Sequence, residues 1–195
     1  MNISLLVNSA TQKLIDHVEE LTILDQAIGD GDHGLNMKRG SKAIQDKLAQ
    51  WSALSTQATL TAMGKTCIAM IGGASGPVFG TLLLTLGKEL PEQPDHNDLA
   101  RALRLAIEAV TRLGKAEIGQ KTLLDVLDPL QKCLAAGGES LVARAKQCAL
   151  DSCEATAHME ASRGRSSFLG ERALGHIDPG SRSVALIVSA ICDAL

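Results

Sequence analysis

Apolar residues recur at three- and four-residue intervals along most of the chain, the spacing of amphipathic helices packed on one face. Leu5, Leu6, Leu14, Val18, Leu21 and Leu24 predict a first helix from near Ser4 to about Ala27. A second runs through Asn36, Ala43, Ile44 and Leu48, and a third, rich in Ala, Met and Ile, covers 55–71. Ser75 or Gly76 can cap a fourth, with Pro77 in its first turn. Asp95 or Asn97 can cap a fifth through Leu99, Leu103, Ala106, Ile107 and Val110. Leu123 to Leu134 forms a sixth around Pro129, residues 139–162 a seventh, and Val184 to Leu195 an eighth. No segment alternates as a strand does. The pattern therefore predicts one all-α domain over 1–195, a bundle of about eight amphipathic helices.

Between these helices the polar stretches are rich in glycine, in four clusters near 29–34, 72–76, 114–119 and 164–180. Connections of this kind carry function more often than helix faces do. Composition supports the helical reading. Hydrophobic residues make up 45% but aromatics only 2%, so the core must be aliphatic, which suits packed helices better than sheets. With 19 Lys+Arg against 22 Asp+Glu, the formal charge of −3 offers no polycationic face for nucleic acid. The five cysteines have no metal-site spacing and read as reduced thiols, three of them on apolar helix faces. No run approaches about 18 apolar residues and the N-terminus lacks a signal-peptide pattern, so a cytoplasmic protein with no membrane partner is expected.

The segment Asp25-Gln26-Ala27-Ile28-Gly29-Asp30-Gly31-Asp32-His33-Gly34 places three carboxylates and an imidazole in a turn. Three ionised carboxylates held together repel one another unless a cation neutralises them, and hard oxygen donors suit Mg²⁺. The bland alternative is that Asp30 or Asp32 caps the next helix while Asp25 is solvated. Gly29-x-Gly31-x-x-Gly34 matches the dinucleotide fingerprint only literally, because no βαβ unit surrounds it. An EF-hand loop from Asp30 fails at Gly34, Leu35 and Ser41. Gly72 to Pro77 offers small residues before a helix N-terminus, an arrangement suited to an anion. Gly64-Lys65-Thr66 and the 114–122 segment are near misses to a phosphate-binding P-loop and neither qualifies. Arg163, Arg165 and Arg172, with His176-Ile177-Asp178-Pro179-Gly180, form a fourth cluster suited to phosphate and to a sugar or base. Together the clusters point to nucleotide and Mg²⁺ bound between helix ends.

Four ordered motifs carry a more specific resemblance: the run Asp25 to Met37, Gly72 to Thr81, Gly114 to Thr122 and Gly164 to Gly180. The chain resembles the nucleotide-binding L subunit of dihydroxyacetone kinase over essentially its full length. That resemblance implies a barrel of eight antiparallel helices with the nucleotide site at one end. It implies that Asp25, Asp30 and Asp32 hold two Mg²⁺ ions on the phosphates of ADP or ATP, and that His33, Gly34, Leu35, Asn36, Ala74 and Ser75 lie at the phosphates or nearby groups. Gly114, Leu123, Arg165, Asp178, Pro179 and Gly180 match further nucleotide contacts, with Leu123 where the family often has Met, a volume-conserving change.

The resemblance also implies a partner K subunit that binds dihydroxyacetone. In one branch K and L are fused and exchange ATP. In the other, L is free-standing, keeps its ADP, and is recharged by a phosphohistidine on an M component of the sugar phosphotransferase system; the chain's end at Leu195 favours this branch. Catalysis then rests on charge neutralisation by the metal on Asp25, Asp30 and Asp32, with Arg165 as a further positive group and substrate activation left to the partner. A kinase for another small ketose and a nucleotide-loaded regulatory module remain alternatives, and a homodimer is the expected oligomeric state.

Overall fold

The computed structural model describes residues 2–195, except the side chain of Arg165. Among the described residues there are nine α-helices and no strand: α1 Ile3–Asp16, α2 Val18–Ile28, α3 His33–Leu48, α4 Thr56–Met70, α5 Ser75–Glu89, α6 His96–Gly114, α7 Leu124–Ala136, α8 Leu141–Ala155 and α9 Pro179–Asp193. The count exceeds eight because the expected first helix is two. His17 Nδ1 donates to the Lys13 carbonyl at 2.8 Å, occupying the acceptor that the His17 N–H would otherwise take, and the ladder ends there.

Local chemistry explains the other boundaries. Asp95 and Asp98 form a capping box at the start of α6. α8 stops at Ala155, short of the expected 162, as Thr156 Oγ1 turns back to the Cys153 carbonyl at 2.6 Å. α9 starts five residues earlier than expected. Asp178 accepts the Ser181 N–H at 2.6 Å and Pro179 occupies the first turn, so the helix begins at Pro179. Neither Ser75 nor Gly76 caps α5; Ala74 holds the cap position and no side chain bonds there.

Helices α3 to α9 each pack against the next in chain order, α9 packs against α1, and α1 packs against α3. The ring so closed leaves α2 outside, against α3 and α9. Its interior is aliphatic, including Val7, Leu14, Met37, Leu103, Leu124, Val126 and Leu186, with Phe79 a buried aromatic among them. The inward faces also line an apolar cavity of about 470 Å³. Cys67 and Cys153 are buried, and burial pushes both thiols up to about 12, so they stay protonated and inert. No described helix is long and apolar enough to cross a membrane.

Candidate functional site

At one end of the ring, a cavity of about 270 Å³ is walled by helix ends of alternating polarity. The N-terminal ends of α3 (His33), α5 (Ala74, Ser75), α7 (Leu123, Leu124) and α9 (Pro179, Gly180) meet there with the C-terminal ends of α2 (Ile28), α4 (Gly72, Gly73) and α6 (Val110, Gly114). From α2 to α7, successive helices along the wall thus run antiparallel. Four helix N-termini in one cavity concentrate partial positive charge and backbone N–H groups, which favours an anion. α5 is the clearest case, because no side chain caps it.

Facing these ends are the three carboxylates. Asp25 lies on the last turn of α2, and Asp30 and Asp32 on the connection to α3, where Gly31 at φ +76° makes a turn that L side chains disfavour. Asp25, Asp30 and Asp32 each present an oxygen, and these atoms lie within 4.8 Å of one another. Asp25 is buried, the other two exposed. Asp25 also accepts the His33 N–H at 3.0 Å, so it caps α3 from outside that helix; Asp32, at the cap position itself, makes no side-chain cap bond. A set of hard oxygen donors, convergent and open to the cavity, fits a divalent cation such as Mg²⁺.

His33 links three segments. Its Nδ1 is 3.2 Å from Ser75 Oγ and its Nε2 is 2.8 Å from the buried Ser183 Oγ, with the Pro179 backbone also bonded to the ring. Burial lowers its pKa despite the nearby carboxylates of Asp25 and Asp32, which favours the neutral imidazole. Both ring nitrogens are therefore engaged in holding the N-terminal ends of α3, α5 and α9 together.

Asp178 lines the cavity, partly open to it but enclosed by protein. Burial raises its pKa to about 6, opposed by the Ser181 hydrogen bonds and reinforced by Asp125. The folded chain therefore binds this proton more tightly than the unfolded chain, whose Asp titrates near 3.8. Stability contributed by protonated Asp178 is present below about pH 4 and lost as pH rises through about 6. Asp178→Asn keeps a cap acceptor and removes the charge, so at pH 7 it should stabilise the chain by up to about 3 kcal/mol, an advantage that vanishes at pH 4. Urea midpoints of both proteins at the two pH values check this; equal stability at pH 7 would refute the burial argument.

Of the residues expected from sequence, Asp25, Asp30, Asp32, His33, Ala74, Ser75, Gly114, Leu123, Asp178, Pro179 and Gly180 all line this cavity. Gly34, Leu35 and Asn36 do not. Gly34 lies against the Val18 carbonyl and Thr22, letting α2 and α3 approach. Leu35 is 59% exposed, away from the cavity wall. Asn36 is buried and accepts from Arg39 Nη2, and its amide oxygen crowds Gly72, so it braces the α4–α5 turn. The side chain of Arg165 lies outside the described residues. Sequence reasoning passed over Lys121, Thr122 and Ser183. Only the Gly119-Gln120-Lys121-Thr122 run, set aside as a failed P-loop, carried a signal for the first two, and Ser183 had none.

An all-helical ring with an acidic cavity where its helix ends meet defines the class of this protein. The chain belongs to the DAK2 domain family, which matches residues 27–193. It is 34% identical over 186 residues to the ADP-binding subunit DhaL of PEP-dependent dihydroxyacetone kinase 1 from Listeria innocua, covering 95% of this chain and 91% of that one. The corresponding Escherichia coli subunit is 35% identical over 181 residues, covering 89% and 86%. A D-erythrulose kinase of Mycolicibacterium smegmatis is 36% identical, covering 96% of this chain but 34% of its own length. These relatives are kinases or kinase subunits, that is, phosphotransferases. The crystal structure of the dihydroxyacetone kinase of C. freundii shares the fold, with a TM-score of 0.81 at 24% identity over 99% of this chain and 34% of that one.

Proposed function

We propose that this chain is the nucleotide-bearing subunit of a dihydroxyacetone kinase. It holds ADP or ATP in the cavity and passes the γ-phosphoryl group to dihydroxyacetone bound on a separate K subunit. The observation that carries the reading is the conjunction of three convergent carboxylates with four helix N-termini around one cavity, in a chain whose relatives include ADP-binding subunits over most of their length.

Asp25, Asp30 and Asp32 would hold Mg²⁺, as two ions, and when bound the metal neutralises phosphate charge and orients the transferred group. The backbone at Ala74 and Ser75 donates to phosphate oxygens from the uncapped end of α5. His33 fixes Ser75 rather than touching the phosphates itself. Leu123 and Gly114 wall the base, Asp178 to Gly180 meet the remaining nucleotide, and Arg165 supplies further positive charge. No residue of this chain is assigned to deprotonate the sugar; that step belongs to the partner. We further propose that ADP stays bound and is rephosphorylated in place by a phosphohistidine-carrying M component; that relatives are named PEP-dependent and ADP-binding supports the bound ADP and the PEP-driven recharge.

Purified protein should carry ADP through gel filtration in Mg²⁺, and a phosphohistidine donor should convert it to ATP in place. Nucleotide that washes out freely would instead indicate exchange of ATP, and failure to bind either nucleotide would overturn the proposal. A second reading, a kinase subunit for a four-carbon ketose, is favoured by the 36% identity to D-erythrulose kinase. Phosphoryl transfer to erythrulose but not to dihydroxyacetone, with each cognate K partner present, would select it.

A further inference from the structure

Between α8 and α9 the chain makes a long excursion, from the 3₁₀ turn Thr156–His158 to the cap at Asp178, with a second 3₁₀ stretch at Arg165–Ala173. Two features fix this flap. Its body is seated on α2: Ala161 and Ala173 pack against Ile28, which lies between Asp25 and Asp30 in sequence, with Leu169 alongside. From that seat Arg163, Gly164 and Ser166 reach the cavity wall. Its neck is closed by Lys121, a residue of the α6–α7 connection.

Lys121 is 1% exposed and its ammonium donates to the Thr156 carbonyl at 2.7 Å, the Met159 carbonyl at 3.3 Å and the His176 carbonyl at 2.6 Å. The first two belong to the incoming limb and the third to the outgoing limb, so one side chain joins both. Two neutral bonds lie beside it, Gly175 N–H to the Ala157 carbonyl at 2.8 Å and Asp178 N–H to Thr156 Oγ1 at 3.0 Å. An ammonium has three protons and no acceptor capacity, so three carbonyls use it fully. Although Lys121 lines the nucleotide cavity, it has no proton left for a phosphate oxygen. Burying a charge without hydrogen bonds is unfavourable, and these three carbonyls supply what water would. The backbone is also committed, since Lys121 holds φ +61°, a conformation that residues other than glycine seldom adopt. Its neighbours Thr122 and Leu123 also form part of the cavity wall. The strut thus ties that wall to the flap.

We infer that Lys121 is a positioning residue that fastens the 159–176 flap over the site and thereby sets how slowly nucleotide leaves, without touching the nucleotide. This rests on the nucleotide-binding reading above. A strut of this kind acts on the departure of a bound ligand, since the flap must lift for release, more than on its encounter.

The test uses the full chain, Mg²⁺ and fluorescent mant-ADP chased with excess ADP. Lys121→Met should speed mant-ADP release about tenfold or more while association changes less than about twofold, and Lys121→Arg should recover part of the loss. Independently of nucleotide, tryptic cleavage after the exposed Arg163 should quicken about tenfold in Lys121→Met, because proteolysis follows the population of the opened segment. In the wild-type protein the Lys121 ammonium should give a slowly exchanging ¹⁵N signal, a measurement that needs no variant to fold. Unchanged release and unchanged cleavage in a folded Lys121→Met, or a rapidly exchanging ammonium, would overturn the inference. If wild-type protein binds no mant-ADP, the nucleotide reading fails. Cleavage and ammonium exchange would then still judge the fastening itself.

Discussion

Asp30→Asn is expected to reduce phosphoryl transfer by about a hundredfold or more while leaving the melting temperature unchanged or slightly raised. The two halves of this expectation have one cause. Asp30 lies exposed on the α2–α3 connection, where its carboxylate is one of three with oxygens inside 4.8 Å. Without a cation these charges oppose one another, so replacing one by a neutral amide of the same shape relieves repulsion in the metal-free chain. With a cation, the same replacement removes a formally charged ligand from a hard ion that prefers such ligands, and the charge on the transferred phosphoryl group is less well neutralised. Asp25 would be a poorer choice for this experiment, because its carboxylate also accepts the His33 N–H and its loss would uncap α3. The measurements are Mg²⁺ dependence of ADP binding by calorimetry, phosphoryl transfer with the K partner, and a thermal melt. Wild-type activity of Asp30→Asn at ordinary Mg²⁺ would sink the metal assignment.

Gly34→Ala should destabilise the chain by about 3 kcal/mol, the upper end of what overpacking costs, and should weaken cation binding with it. A Cβ at this position would stand 2.3 Å from both the Val18 carbonyl and Thr22 Oγ1, and 2.9 Å from the Thr22 N. Two of these three atoms are backbone, so no rotamer change relieves the clash and α2 must move away from α3. Such a movement separates Asp25 on α2 from the His33 N–H on α3, and spreads the carboxylates that a shared cation would need close together. Leu35→Ala, one residue on and at a position 59% exposed, serves as the control and should change neither quantity appreciably. Denaturant midpoints together with Mg²⁺ titration decide the matter. A Gly34→Ala protein as stable as wild type would show that the two helices have room to spare.

The contrast between Gly34 and Leu35 illustrates what was legible in the chain and what was not. Both stand in the most informative motif of the sequence, and motif reasoning placed both near the phosphates. Position in a motif records that a residue matters, whereas the direction of its Cα–Cβ bond decides whether it meets a ligand, a neighbouring helix or solvent. On α3 the residues after His33 rotate away from the cavity by about 100° per residue. That rotation carries Gly34 onto α2, Leu35 outward and Asn36 toward the α4–α5 turn. The opening helix shows the same limit in secondary structure. Apolar spacing continued unbroken from Ser4 to Ala27, yet the His17 imidazole takes the Lys13 carbonyl and divides the segment. At the other end of the chain, apolar spacing places the last helix from Val184, although Asp178 before Pro179 is also how a helix begins.

By itself the sequence determined the helical class, the aliphatic core, the placing of glycine at the junctions and the gathering of three carboxylates in one short segment. All of these depend on local spacing and composition, and short-range physics expresses them directly. Only the tertiary structure decided that α3 to α9 close with α1 into a ring, that four helix N-termini share one cavity with those carboxylates, and that Lys121 and Ser183 stand behind the site. Lys121 meets carbonyls 35 to 55 positions away and Ser183 meets an imidazole 150 positions away. A contact at such separation leaves no periodicity in the chain, because it is selected by how the helices pack and not by the residues on either side of it.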